Sequence, residues 1–263
     1  MDNLVAQILA NADYFLLMMF RVSGLVFPSP IFGRINIPAA AKISICLALT
    51  TLLFIHRPDY MPIAYNSLIT FAFLCLGELL LGVCLAFITN LFFAVTFIAG
   101  NLIDFKIGFG IVNVFDAQNN TQIPMIGNVL NLILLIVFFG VNAHHRLLNI
   151  VAVTLDALPL GNLTFNGNIG LVALELFMLC FVLGVMVALP ILVAGLVLEI
   201  CFGVMVRSVP QINVFVVGIP IKLMVGMMLL VIVLPAFMGF SEIIFTEMFI
   251  GVEKMFATFI TAP

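Results

Sequence analysis

Apolar residues do not alternate with polar ones along this chain; they gather into long runs separated by short polar breaks. Six runs stand out: Tyr14 to Phe32, Ile43 to Ile55, Leu68 to Gly100, Ile126 to Ala143, Ile169 to Val206 and Ile212 to Phe240. Such runs predict helices, because a helix satisfies its own backbone where lipid offers no hydrogen bonds. The third run is about 33 residues and the fifth longer still, against the ~20 that cross a bilayer, so both must tilt, bend or project beyond it. Pro190 interrupts the fifth run, and Pro220 and Pro235 the sixth. The expected fold is all-α and membrane-associated, made of long, kinked helical hairpins. Leu158 to Asn168, rich in Pro, Gly and Asn, marks the best internal boundary. It divides the chain into residues 1–160, with four runs, and 161–263, a hairpin of two.

Composition narrows the class further. Of 263 residues, 65% are hydrophobic and 8% charged, where soluble domains carry about 25% charged residues. No soluble fold hides that much apolar surface. The net charge of −3 rests on only nine Lys and Arg, which argues against a nucleic-acid surface. Those nine give no clear positive-inside pattern. There is no Trp and there are three Tyr against 27 Phe. Lipid-facing proteins usually place Trp and Tyr at both interfaces, so lipid is not expected to be this chain's main neighbour. The start, Met1-Asp2-Asn3, lacks a basic n-region and reads as no cleaved leader.

Candidate chemistry is sparse. Gly195, Glu199 and Gly203 recur at helical spacing, as do Gly218, Lys222 and Gly226. Glycines beside a charge let another backbone approach. Glu199 and Lys222 are therefore expected to meet, within the hairpin or across a subunit contact, as a structural pair or as an ion relay. Exchanging the two charges should then be milder than removing Lys222. Arg21 and Glu78 also lie in apolar runs, as relay residues or as buried partners. The stretch from Gly108, Phe109 and Gly110 stays apolar to Phe115, turns polar at Asp116 and ends at Pro124. It reads as an ordinary connecting loop or as a hydrophobic pore closure. His144 and His145 stand side by side, pointing apart on a helix, with no acid or thiol at metal-ligand spacing. Cys46, Cys75, Cys84, Cys180 and Cys201 all sit in apolar runs without CxxC spacing and read as small core hydrophobes. No phosphate loop, nucleophile elbow or zinc motif occurs, so neither an enzyme nor a cofactor is expected.

Several stretches taken together resemble the FliR family, the R-type subunit of the bacterial flagellar type III export gate. Pro210 to Leu223 (PQINVFVVGIPIKL) looks like its C-terminal signature. Phe20-Arg21 with Pro28, Pro30, Pro38 and Lys42 is similar to its first hairpin. Gly77-Glu78 to Gly82 looks like the start of its long third helix, and Gly108 to Pro124 is similar to its central loop. Ala117 departs from the proline often found there in the family. Val216-Val217-Gly218 differs from the Phe and Ser of the virulence-type relatives and favours the flagellar branch.

The resemblance implies a pore-forming structural subunit needed for export of flagellar proteins and assembly of the flagellum. It implies residence in the cytoplasmic (inner) membrane, multi-pass by hydropathy, within the flagellar basal body. The implied partners are FliP-type and FliQ-type subunits around a channel, FlhB-type and FlhA-type export subunits, and unfolded flagellar export substrates. It further implies that residues 1–160 are P-like and 161–263 Q-like, and that Gly108, Phe109, Gly110, Phe115 and Asp116 belong to a plug. A rival reading, a secondary transporter with proline-broken helices, predicts two halves that repeat one another. The two halves differ in the number and length of their runs.

Overall fold

A computed structural model describes residues 2–57, 63, 65–109, 124–161, 168–208 and 214–260. Among the described residues the chain is all helix, without strands. The helices are α1 (Asp2–Ala10), α2 (Ala12–Val26), α3 (Ala39–His56), α4 (Leu68–Ile107), α5 (Met125–Gly140), α6 (Ala143–Ala157), α7 (Ile169–Ser208) and α8 (Val214–Ile260).

Each of the six apolar runs contributes to a helix, but the first continues past α2 through non-helical residues to Phe32, and the runs do not correspond to six membrane crossings. Four helices, α3, α4, α7 and α8, are long and apolar enough to cross a membrane; a fifth span arises if α5 and α6 count as one broken crossing. The first run supplies only the 15-residue α2, because Pro28 and Pro30 follow it and cannot continue a helix. The other prolines behave differently. α7 runs through Pro190, and α8, at 47 residues, runs through Pro220 and Pro235. Each removes one backbone bond, a loss that helices packed in an apolar setting tolerate through local adjustment.

The residues divide into two compact units, one of Met1–Leu91, Asn142–Leu176 and Met248–Pro263, the other of Phe92–Val141 and Phe177–Glu247. In the first, Leu17, Met18, Phe54, Cys75, Leu155 and Leu160 form a buried cluster, with the Phe15 and Phe54 rings edge to face at 5.6 Å. α2 crosses α4 in direct backbone contact. A Cβ on Gly24 would stand 2.4 Å from the Leu79 oxygen, and one on Gly82 2.3 Å from the Arg21 oxygen. The turn between α2 and α3 is held by Lys42, whose ammonium donates to the Gly33 carbonyl at 2.8 Å.

The second unit repeats this device. A Cβ on Gly100 of α4 would stand 2.1 Å from the Cα of Gly127 on α5. Four residues beyond Gly100, buried Asp104 accepts the Ile126 N–H at 3.3 Å. Its carboxylate thus satisfies one of the donors left open in the first turn of α5 and faces the positive end of the helix dipole. Four residues before Gly100, the Thr96 hydroxyl accepts from the Asn131 amide at 3.2 Å. Phe138 stacks edge to face with Phe93 at 5.6 Å and with Phe245 at 5.4 Å.

Candidate functional site

Charge is rare in this chain, so each charged side chain set among apolar neighbours needs an account. In the first unit Arg21 and Glu78 are 1% and 0% exposed, with Arg21 Nε donating to Glu78 Oε2 at 2.6 Å. The Gly24–Gly82 crossing causes this meeting: Arg21 lies three residues before Gly24 and Glu78 four before Gly82, each on the face its glycine presents. The remaining valences are filled. Arg21 donates to the carbonyls of Thr154 at 2.9 Å and Leu158 at 3.2 Å; the first also accepts the Leu158 N–H that caps α6. A guanidinium there also complements the negative end of the helix dipole. Glu78 Oε1 accepts the Gly161 N–H at 2.9 Å, and Gly161 holds φ +84°, which an L side chain would strain. The pair is therefore a joint that fastens α2, α4 and the exit from α6.

In the second unit Glu199 stands between two lysines. Its Oε2 lies 2.7 Å from Lys106 Nζ and its Oε1 3.0 Å from Lys222 Nζ. Sequence spacing placed Glu199 and Lys222 on faces able to meet, and their contact lies within one chain. Lys106 was not anticipated, since it stands beyond the apolar run from which α4 was expected. It reaches Glu199 because Gly195 leaves room: a Cβ there would stand 2.6 Å from the Lys106 Cγ. Gly226 likewise makes way for Ile107, at 2.6 Å. Gly203 has nothing within 4 Å. The two glycine faces thus receive the end of α4, whereas the sequence had pointed to α7 and α8 alone. The side chains of Lys106, Glu199 and Lys222 are 14%, 41% and 29% exposed.

Of the expected plug residues, Gly108 and Phe109 follow α4 directly. Gly108 has φ +101° and open space where a Cβ would stand, and Phe109 is half-buried. Gly110, Phe115 and Asp116 lie outside the described residues, as do Pro210 to Asn213 of the signature segment. The His144 and His145 rings do not point apart as expected but lie 4.1 Å from each other, tilted by 37°, and no cluster of His, Cys, Asp or Glu able to hold a metal occurs among the described residues. Arg146 lies 4.3 Å over the Phe249 ring and 3.8 Å from Glu253.

Sequence reasoning also missed Asp104 and Asn131. The available signal was their distance from a glycine: each sits four residues from one of a pair that lets two helices touch.

Comparison with known proteins gives a consistent result. The family described as Bacterial export proteins, family 1, matches residues 12–248. The chain is 31% identical over 223 residues to the flagellar biosynthetic protein FliR of Bacillus subtilis (strain 168), covering 83% of this chain and 85% of that one. It is 28% identical over 235 residues to the protein of that name from Escherichia coli (strain K12), covering 88% of each. Against the one from Aquifex aeolicus (strain VF5) it is 30% identical over 222 residues, covering 84% of each.

Proposed function

The chain belongs to the FliR family of bacterial export proteins, and from that premise we propose that it is a structural, pore-forming subunit of the flagellar type III export gate. It is a multi-pass protein of the bacterial inner membrane with a role in flagellum biogenesis and protein export. The observation that carries the finer reading is the extent of the match, which runs from the start of α2 through α7 and into α8. The surface supports it. Only 17% of the membrane-crossing window is buried in α3 and in α8, and α7 and α8 expose many large apolar side chains. Helices of 40 and 47 residues are also about twice the length one crossing needs. Such surfaces suit a subunit whose neighbours are other helices.

In this reading residues 1–160 act as a P-like half and 161–263 as a Q-like hairpin, assembled with FliP-type and FliQ-type subunits around a channel. FlhB-type and FlhA-type subunits serve its entrance, and unfolded flagellar proteins are its cargo. The segment from Gly108 and Phe109 through Gly110, Phe115 and Asp116 closes the channel at rest. The protein performs no chemistry of its own.

Two measurements test this. Tagged chain, extracted gently from membranes, should bring down P-type and Q-type subunits and lose stability without them; a monodisperse monomer binding a small solute would sink the assembly reading. Deleting Gly108 to Phe115 should let small solutes leak across the membrane, and a membrane that stays sealed removes the plug assignment.

A further inference from the structure

We infer that the Lys106–Glu199–Lys222 cluster is one half of a charge contact between subunits, completed by a carboxylate on an apolar helix of a partner. The inference rests on the assembly reading above and adds the chemistry of one contact to it.

The charge count comes first. One carboxylate and two ammonium groups leave a surplus of +1 (−1 + 2), and no other acid pairs with these lysines among the described residues. A lysine has three donors, and Lys222 spends one of them, on Glu199. The surroundings are apolar. Leu196, one turn before Glu199 on its own face, is 52% exposed, so the cluster sits in a face fitted to hydrocarbon or to another helix. A surplus charge in such a face is costly unless a counter-charge covers it.

A lipid phosphate could supply that counter-charge, but the depth argues against it. Arg207, in the last turn of α7, is the exposed cation nearer the helix end. Glu199 lies two turns further in, about 12 Å along the helix. Beside it, Gly203 presents open backbone on the same face, which admits close approach of a second helix. The fitting occupant is therefore a partner helix, apolar over several turns and carrying one Asp or Glu.

The test uses the full complex in cells. Lys222→Glu should cut recovery of partner subunits and swimming at least tenfold. Selection for restored motility should then return Lys or Arg at an Asp or Glu on an apolar helix of another subunit. Because Lys222→Glu also disturbs Glu199, Gly203→Leu provides a second route. Its side chain enters space empty in this chain, so chain level should hold while partner recovery falls. Unchanged partner recovery in both variants overturns the inference. So do suppressors confined to Asp116 of the same chain, and so does loss of bound anionic phospholipid, read by native mass spectrometry, with all partners retained. If the unaltered chain brings down no partner at all, the assembly reading has failed first.

Discussion

Arg21 and Glu78 carry equal and opposite charges, are sealed from solvent, and spend their remaining valences on the backbone at Thr154, Leu158 and Gly161. Lys106, Glu199 and Lys222 are unequal in charge, partly exposed, and held to each other by side chains alone. Both groups form where glycine lets a neighbouring segment come close, so geometry does not separate them. What separates them is whether backbone groups close the network. A charge tied to backbone is a fixed joint, since breaking it strands a buried carbonyl or amide as well as the partner ion. A charge tied only to another side chain can exchange one partner for another at little cost.

The contrast is tested most severely at Arg21. Arg21→Ala leaves Glu78 buried without its cation and should cost about 3–5 kcal/mol, read as loss of heat stability of the purified protein in detergent. The double replacement Arg21→Met with Glu78→Leu should recover much of that. The coupling between the two should lie near the top of the ~0.5–3 kcal/mol range for contacting residues. Simple additivity would mean that the pair is no joint.

Glu199→Gln should be milder than Arg21→Ala, because the lysines it leaves are partly exposed and strand no backbone group. The exchange of Glu199 with Lys222 separates the two groups more finely. It restores their mutual bond but sets Lys106 against a lysine. Exchange alone should therefore be no milder than loss of Lys222, and adding Lys106→Glu should rescue it. Full tolerance of the simple exchange would show that Lys106 contributes nothing.

The smallest effect belongs to a third, exposed contact. The Tyr65 hydroxyl donates to Asp13 at 2.6 Å, and this hydrogen bond, with some desolvation and the carboxylate's charge, raises the phenol above its ordinary value. The bond needs the protonated phenol, so its contribution is full below the unfolded pKa and is lost as the pH rises through the higher folded one. Asp13→Asn should bring the phenol titration down in ultraviolet difference spectra, with little change in stability.

Much of this was legible from residue type and spacing. Runs of apolar residues foretell helices because lipid and packed protein make the same demand on the backbone, and each run contributes to a helix among the described residues. Pro190, Pro220 and Pro235 misled as to breaks, because proline removes one bond and the neighbourhood decides whether the helix survives. Glu199 and Lys222 were legible as partners since each shares a face with two glycines. Lys106 was not, because nothing local ties it to residues 93 positions away. Arg21 and Glu78 were visible as buried charges. Their backbone partners at Thr154 and Leu158 could not be foreseen, since a carbonyl is offered by every residue.

Those backbone ties also set an order of events during synthesis. Arg21 meets Glu78 57 residues later, but the carbonyls of Thr154 and Leu158 follow 133 and 137 residues after Arg21. At ~5–20 residues per second, the nascent chain waits roughly seven to twenty-seven seconds with its first charged helix incompletely bonded. For that interval the ribosome and insertion machinery must shelter an arginine that the finished protein hides completely.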